Sequence, residues 1–177
     1  QSLLFSGLEA ISYNLNRKRS DLKFFEFGKT YHNYLSGREE KKHLSLFVSG
    51  NRFSESWNTT KTPGNFFFIK GIIENILERL GITSLKNSSV KGDIFSEGLA
   101  ISPGKSKLVE FGVLKNSILK HFGIQQEVLY ADFNWNLVLE TAQNQKVKFT
   151  AIPKSPAVRR DFALLLDEAV SYEEIET

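Results

Sequence analysis

Two apolar runs lie too close together in this chain for a helix to fit between them. Residues 21–31 carry Leu22 and Phe24, then Phe25, Glu26 and Phe27, a pattern that marks a strand. Residues 43–49 (HLSLFVS) form a second such run. Only the polar stretch at residues 36–42 (SGREEKK) intervenes, and it reads as a turn. Parallel neighbours need a crossover of roughly a dozen residues or more, so the two runs must pair antiparallel, as a hairpin with a longer loop.

The rest of the pattern agrees. Residues 2–17 place Leu3, Leu4, Leu8, Ile11 and Leu15 at helical spacing, ending in the basic run Arg17, Lys18 and Arg19, which suits a solvated helix end. Asn65 is placed to cap a helix over residues 66–80, which Gly81 ends. One stripe of that helix holds Ile69, Ile72, Ile73, Ile76, Leu77 and Leu80; the other holds Lys70, Glu74, Glu78 and Arg79. Residues 90–101 and 107–113 read as strands around a turn at Ser102, Pro103, Gly104 and Lys105, followed by a short helix over 116–122 closed by Gly123. Residues 128–133 read as a strand and 134–141 as a turn or two of helix. No regular βαβ repeat appears, so the expected fold class is α+β, an antiparallel sheet flanked by helices. From residue 146 the character changes. Pro153 and Pro156 precede an expected strand at 160–166 and a helix start with Ser171 as N-cap and Glu174 as its capping-box partner. The expected domains are a core over residues 1–147 and a second segment over 148–177.

Composition excludes several chemistries. The chain has no cysteine, which rules out disulfides, thiolate catalysis and sulfur-ligated metals. A net charge of +3 is too mild to argue for nucleic acid by itself. No apolar run approaches the ~20 residues of a membrane span, and no secretory signal is visible. With no methionine anywhere, the sequence is expected to be a piece of a longer chain. His32, His43 and His121 lack metal-ligand spacing. Residues 102–106 (SPGKS) lack the spacing of a phosphate loop. Asp93 and Glu97 read as a solvated strand edge.

Residues 25–34 (FEFGKTYHNY) resemble motif 2 of the class II aminoacyl-tRNA synthetases, apolar-Glu-apolar-Gly-x-x-aromatic-Arg-x-Glu. In that family the Arg grips the ATP α-phosphate and the substrate carboxylate, a task suited to a permanently charged planar fork. Here the Arg and Glu positions of the motif are His32 and Tyr34. A neutral imidazole has one donor and cannot replace that fork. The motif 3 Arg of active relatives has its nearest counterpart in residues 111–117 (FGVLKNS), which hold no Arg. A hidden ATP site would have to recruit an arginine read as a loop residue, such as Arg38 or Arg52.

Three segments in order extend the resemblance. Residues 2–32, 65–82 (NFFFIKGIIENILERLGI) and 155–176 (SPAVRRDFALLLDEAVSYEEIE) are together similar to the β chains of bacterial phenylalanyl-tRNA synthetases. One departure is at residues 112–116, Gly-Val-Leu-Lys-Asn, where that family commonly has Gly-x-Leu-His-Pro. The resemblance implies a class II synthetase-like fold for 1–147, truncated at its N-terminus, and a linker plus the first strand of a ferredoxin-like anticodon-binding domain for 148–177. It implies a cytoplasmic, non-membrane ligase in which this β chain supports an α chain, within an (αβ)2 assembly, during tRNA(Phe) aminoacylation with ATP and magnesium. It further implies no catalytic, cofactor-binding or metal-binding residue here, and an inactive piece when isolated, with Arg159 and Arg160 as candidate tRNA contacts. Two other readings stay open at this point: a class II-like domain with its own adenylate chemistry, and a stand-alone protein- or RNA-binding module.

Overall fold

The structure, a computed structural model, describes residues 2–34, 37–53, 56–58, 60–83, 85–90, 92–104, 106–144, 158–161, 163, 165–167 and 170. The chain divides into two compact units, 1–147 and 148–177.

The first unit is a six-stranded sheet of β1 (Leu22–Tyr34), β2 (Gly37–Ser49), β3 (Lys86–Ser89), β4 (Phe95–Ser102), β5 (Val109–Leu114) and β6 (Val128–Asn134). The spatial order is β1-β2-β6-β5-β4-β3, and every neighbour pairs antiparallel. Four helices accompany it: α1 (Leu4–Leu15), α2 (Phe66–Arg79), α3 (Asn116–His121) and α4 (Trp135–Gln143). The α+β expectation therefore holds.

Strand alternation sorts the core into two faces. On one, Leu44, Leu46 and Val48 of β2 stand opposite Phe133, Ala131 and Leu129 of β6. The α2 stripe covers them with Ile69, Ile73 and Leu77, all fully buried, and Val138 of α4 joins the same cluster. Asn65 caps α2 as expected, accepting the Phe68 N–H through its side chain, and Gly81 follows with φ 78°. On the other face, Leu4, Leu8 and Ile11 of α1 pack with Leu22, Phe47, Val128 and Tyr130.

Three expectations need correction. Residues 38–42 are strand rather than loop, because β1 and β2 pair along all thirteen positions from Leu22↔Ser49 to Tyr34↔Gly37. Charged residues suit a strand whose faces are wet; here Lys29 of β1 reaches Glu40 of β2 at 2.9 Å. Burial is not needed for the ladder to form. Second, the strand expected from residue 90 starts later, and β3 precedes it in a stretch for which the sequence carried no strand signal. Its sequence, KNSS, has no apolar alternation, and it forms an outer edge by pairing with residues 99–102; β4 correspondingly begins at Phe95, not at residue 90.

The third correction concerns the second unit. Of the expected strand at 160–166, the described residues 160, 161, 163, 165 and 166 are not in a strand and are exposed. A strand needs neighbours to satisfy its backbone, and no described residue of this unit pairs with it. What order it shows is local: Val170 N–H donates to Asp167 O at 3.0 Å, and Arg159 Nε lies 3.6 Å from Asp161. Ser171 and Glu174 lie outside the described residues.

Candidate functional site

The continuous β1–β2 register fixes which way the motif positions face. Leu22 packs against α1, so Phe24, Glu26, Gly28, Thr30, His32 and Tyr34 share the α1 face. Across the sheet on that face run two rows, Glu26–Ser45–Asp132–Glu110 and Gly28–His43–Asn134. The start of α1 roofs part of this surface. A Cβ at Gly28 would lie 2.6 Å from Leu3 Cδ2, and one at Gly7 would strike the Phe47 ring. Both glycines are therefore close-approach positions.

Under the edge of that roof lies a chain of polar side chains drawn from three strands. Asp132 Oδ1 is 2.9 Å from His43 Nδ1, His43 Nε2 is 2.9 Å from Thr30 Oγ1, and Thr30 Oγ1 is 3.2 Å from His32 Nε2. Thr30 is only 3% exposed. His32 in turn stacks on Tyr34, with ring centroids 5.8 Å apart, and lines a cleft of about 510 Å³ with Tyr31, Arg38 and Glu39. Burial raises the Asp132 pKa above the ordinary carboxylate value, and Glu110 opposite raises it further; the His43 charge and hydrogen bond pull it down without prevailing. Next to it, Ser45 Oγ and Tyr130 Oη lie 3.3 Å apart, and burial pushes the Tyr130 phenol well up.

Carboxylate, imidazole and hydroxyl stand here in the order used by hydroxyl nucleophiles. The surroundings do not support that chemistry. Thr30 is buried in the middle of β1, and strands β1 and β2 pair continuously across its position, so their facing amides are engaged in the ladder. Nucleophilic attack needs room for a carbonyl and free donors for its oxyanion. Among the described residues no group of three or more His, Asp and Glu side chains could hold a metal ion.

Arg38 is a strand residue, opposite Asn33 and hence on the other side of the sheet from His32. Arg52 binds Pro63 O and Asn65 Oδ1, and lies over Phe68. Arg17 folds back onto the Tyr13 ring at 3.4 Å. The FGVLKNS segment forms the β5–α3 junction, two strands from the hairpin. The strand-to-helix junction beside the hairpin is instead β6–α4, where Asn134 caps the helix by accepting the Leu137 N–H. Neither junction carries an Arg. The described part of the second unit leaves Arg159 and Arg160 exposed.

Sequence reasoning did not single out Thr30, His43 and Asp132 as a group. The signal was available only in part. Thr30 and His43 become near neighbours once the hairpin is closed tightly, whereas Asp132 arrives from 89 residues away.

This sheet, with helices on both faces and the motif 2-like hairpin at one side, has a class II aminoacyl-tRNA synthetase-like fold. Solved structures of a pyrrolysyl-tRNA synthetase from Desulfitobacterium hafniense share it: one, PylSc, superposes with a TM-score of 0.59 at 15% identity over 79% of this chain and 49% of its own. A second structure of that enzyme gives 0.58. Residues 1–135 match the phenylalanyl tRNA synthetase beta chain CLM domain. The phenylalanine–tRNA ligase beta subunit of Bacteroides fragilis is 42% identical over 99% of this chain, and that of Porphyromonas gingivalis is 34% identical over 100% of this chain. The chain belongs to the phenylalanine–tRNA ligase beta subunit family. It spans 23% of the length of these relatives.

Proposed function

We propose that this chain serves as a non-catalytic core of the beta subunit in a cytoplasmic phenylalanine–tRNA ligase, and that the ATP- and magnesium-dependent chemistry belongs to an alpha chain within an (αβ)2 assembly. The observation that carries this reading is His32. It stands where active class II enzymes have a phosphate-gripping arginine, its Nε2 is engaged by Thr30, and Arg38, the arginine that shares its cleft, springs from the opposite face of β2. Adenylate formation relies on positioned cations for the developing phosphate charge, and the lysine on this face, Lys41, is paired with Glu39 at 3.3 Å.

The direct test is phenylalanine-dependent exchange of pyrophosphate into ATP by the purified chain. None is expected, and exchange above background would overturn the reading. Mixing with the family's alpha chain should give a co-eluting complex. In the second unit, Arg159 and Arg160 are proposed as tRNA phosphate contacts at the opening of an anticodon-binding domain. Replacing both with alanine in the complete ligase should weaken tRNA binding and flatten its salt dependence by about two counterions.

A further inference from the structure

We infer that Asp132, His43, Thr30 and His32 form a proton-coupled tautomer switch, in which one proton bound at His43 reverses the hydrogen bonds on both sides of the Thr30 hydroxyl and moves the proton of His32 from Nε2 to Nδ1.

The direction of each bond follows from what each atom can donate. An ionised carboxylate only accepts, so the 2.9 Å contact to Asp132 requires the hydrogen of a neutral His43 to sit on Nδ1. His43 Nε2 is then bare and accepts from the Thr30 hydroxyl at 2.9 Å. That hydroxyl has one hydrogen and has now spent it. Its oxygen accepts from His32 Nε2–H at 3.2 Å, which leaves His32 Nδ1 bare. Adding a proton to His43 places a hydrogen on its Nε2. Thr30 then accepts from His43, which releases its own hydrogen to rotate and donate to His32 Nε2. His32 gives up its Nε2 hydrogen to water and takes one at Nδ1. The count balances at one proton gained, all of it at His43.

The neighbouring charges leave this logic intact. Glu110 faces Asp132 from β5, where its charge acts to raise the Asp132 pKa, and it pairs with Lys107 at 2.6 Å. Lys41 and Glu39 of β2 stand opposite Thr30 and His32 and pair with each other at 3.3 Å. Glu26 of β1 bonds Ser6 of α1 at 3.3 Å. Tyr130 of β6 stays neutral, its phenol raised by burial. Asn134, opposite His43, and Gly28 carry no charge. The switch gives the cleft at His32 a hydrogen-bond acceptor in the neutral state and a donor in the protonated one.

Two-bond 15N–1H spectra of the 177-residue chain, recorded between about pH 5 and 8 where imidazoles ordinarily titrate, read each tautomer directly; His121, on α3, serves as internal control. The expected result is Nδ1–H on His43 and Nε2–H on His32 at the upper end, with His32 converting to Nδ1–H in step with the protonation of His43. A His32 tautomer that stays fixed through that step overturns the switch in the unaltered protein. Thr30→Val should uncouple the two rings and Thr30→Ser should keep them coupled, with a dispersed amide spectrum certifying the fold. Coupling that survives in a folded Thr30→Val also overturns it.

Discussion

The two faces of the sheet are built from alternate residues of the same strands, yet they are different materials. Beneath α2 the surface is dry: Leu44, Leu46 and Val48 meet Phe133, Ala131 and Leu129, and nothing polar interrupts them. Beneath α1 an apolar end around Phe47 and Val128 gives way to Ser45, Tyr130, Asp132, His43 and Thr30, all hydrogen-bonded. No described buried side-chain polar atom is left without a partner. The dry face supplies stability that tolerates no gap. The polar face fixes geometry, since each group must meet one specific partner or leave it unsatisfied.

Substitutions on opposite faces should separate these roles. The largest effect is expected from Ile73→Ala, at the centre of the α2 stripe and fully buried; its cost should be about 2–5 kcal/mol by chemical denaturation. A cost under ~0.5 kcal/mol, the level of surface sites, would mean that α2 is not the lid of the dry face. Next come two identical changes in two helices. Gly7→Ala in α1 forces a methyl into the Phe47 ring and should cost about 1–3 kcal/mol through overpacking, outweighing its helix propensity gain. Gly71→Ala in α2 meets nothing within 4 Å and should instead stabilise by up to ~1 kcal/mol. Equal signs for the pair would erase the contrast in helix seating. Removal of the α2 cap by Asn65→Ala should cost ~1 kcal/mol, read as a lowered denaturation midpoint.

The smallest effect is a slope. Asp132 holds its proton to higher pH in the folded chain than in the unfolded one, chiefly because it is buried. Its contribution is therefore fully present below the ordinary carboxylate value, declines as pH rises through the folded value, and stays lost above it. Asp132→Asn should flatten that part of the stability-against-pH curve. An unchanged slope would show that the carboxylate is as well solvated as an exposed one.

The dry face was legible beforehand because its evidence is local. A period of two in HLSLFVS and of 3.6 in the α2 stripe, together with one cap and one glycine, place most of it. The polar face was not, because its partners meet only through register. The charged run at residues 38–42 disguised the upper half of β2 as a turn, which hid that Thr30 and His43 are diagonal neighbours on one face of the hairpin, Thr30 opposite Lys41 and His43 opposite Gly28. Asp132 then depends on which strand lies beside β2, and no local pattern encodes that adjacency. The missed β3 is the same failure in small: KNSS is a strand only because β4 offers it an edge. His32 and Tyr34, by contrast, stood out as departures from a motif whose other positions are kept.

The place of β6 has a consequence in time. It lies between β2 and β5, yet among the described strands of this sheet it is the last in sequence. When Ser49 leaves the ribosome, the pairing edge of β2 has no occupant until Val128–Asn134 emerges, roughly 80 residues later. At about 5–20 residues per second that wait lasts on the order of 4–16 seconds. During it Leu44, Leu46 and Val48 are bare along an unpaired backbone, a surface that any nascent-chain chaperone or stray strand can reach. The hairpin forms early and the sheet closes late, so the interval between those events is when this chain most needs protection.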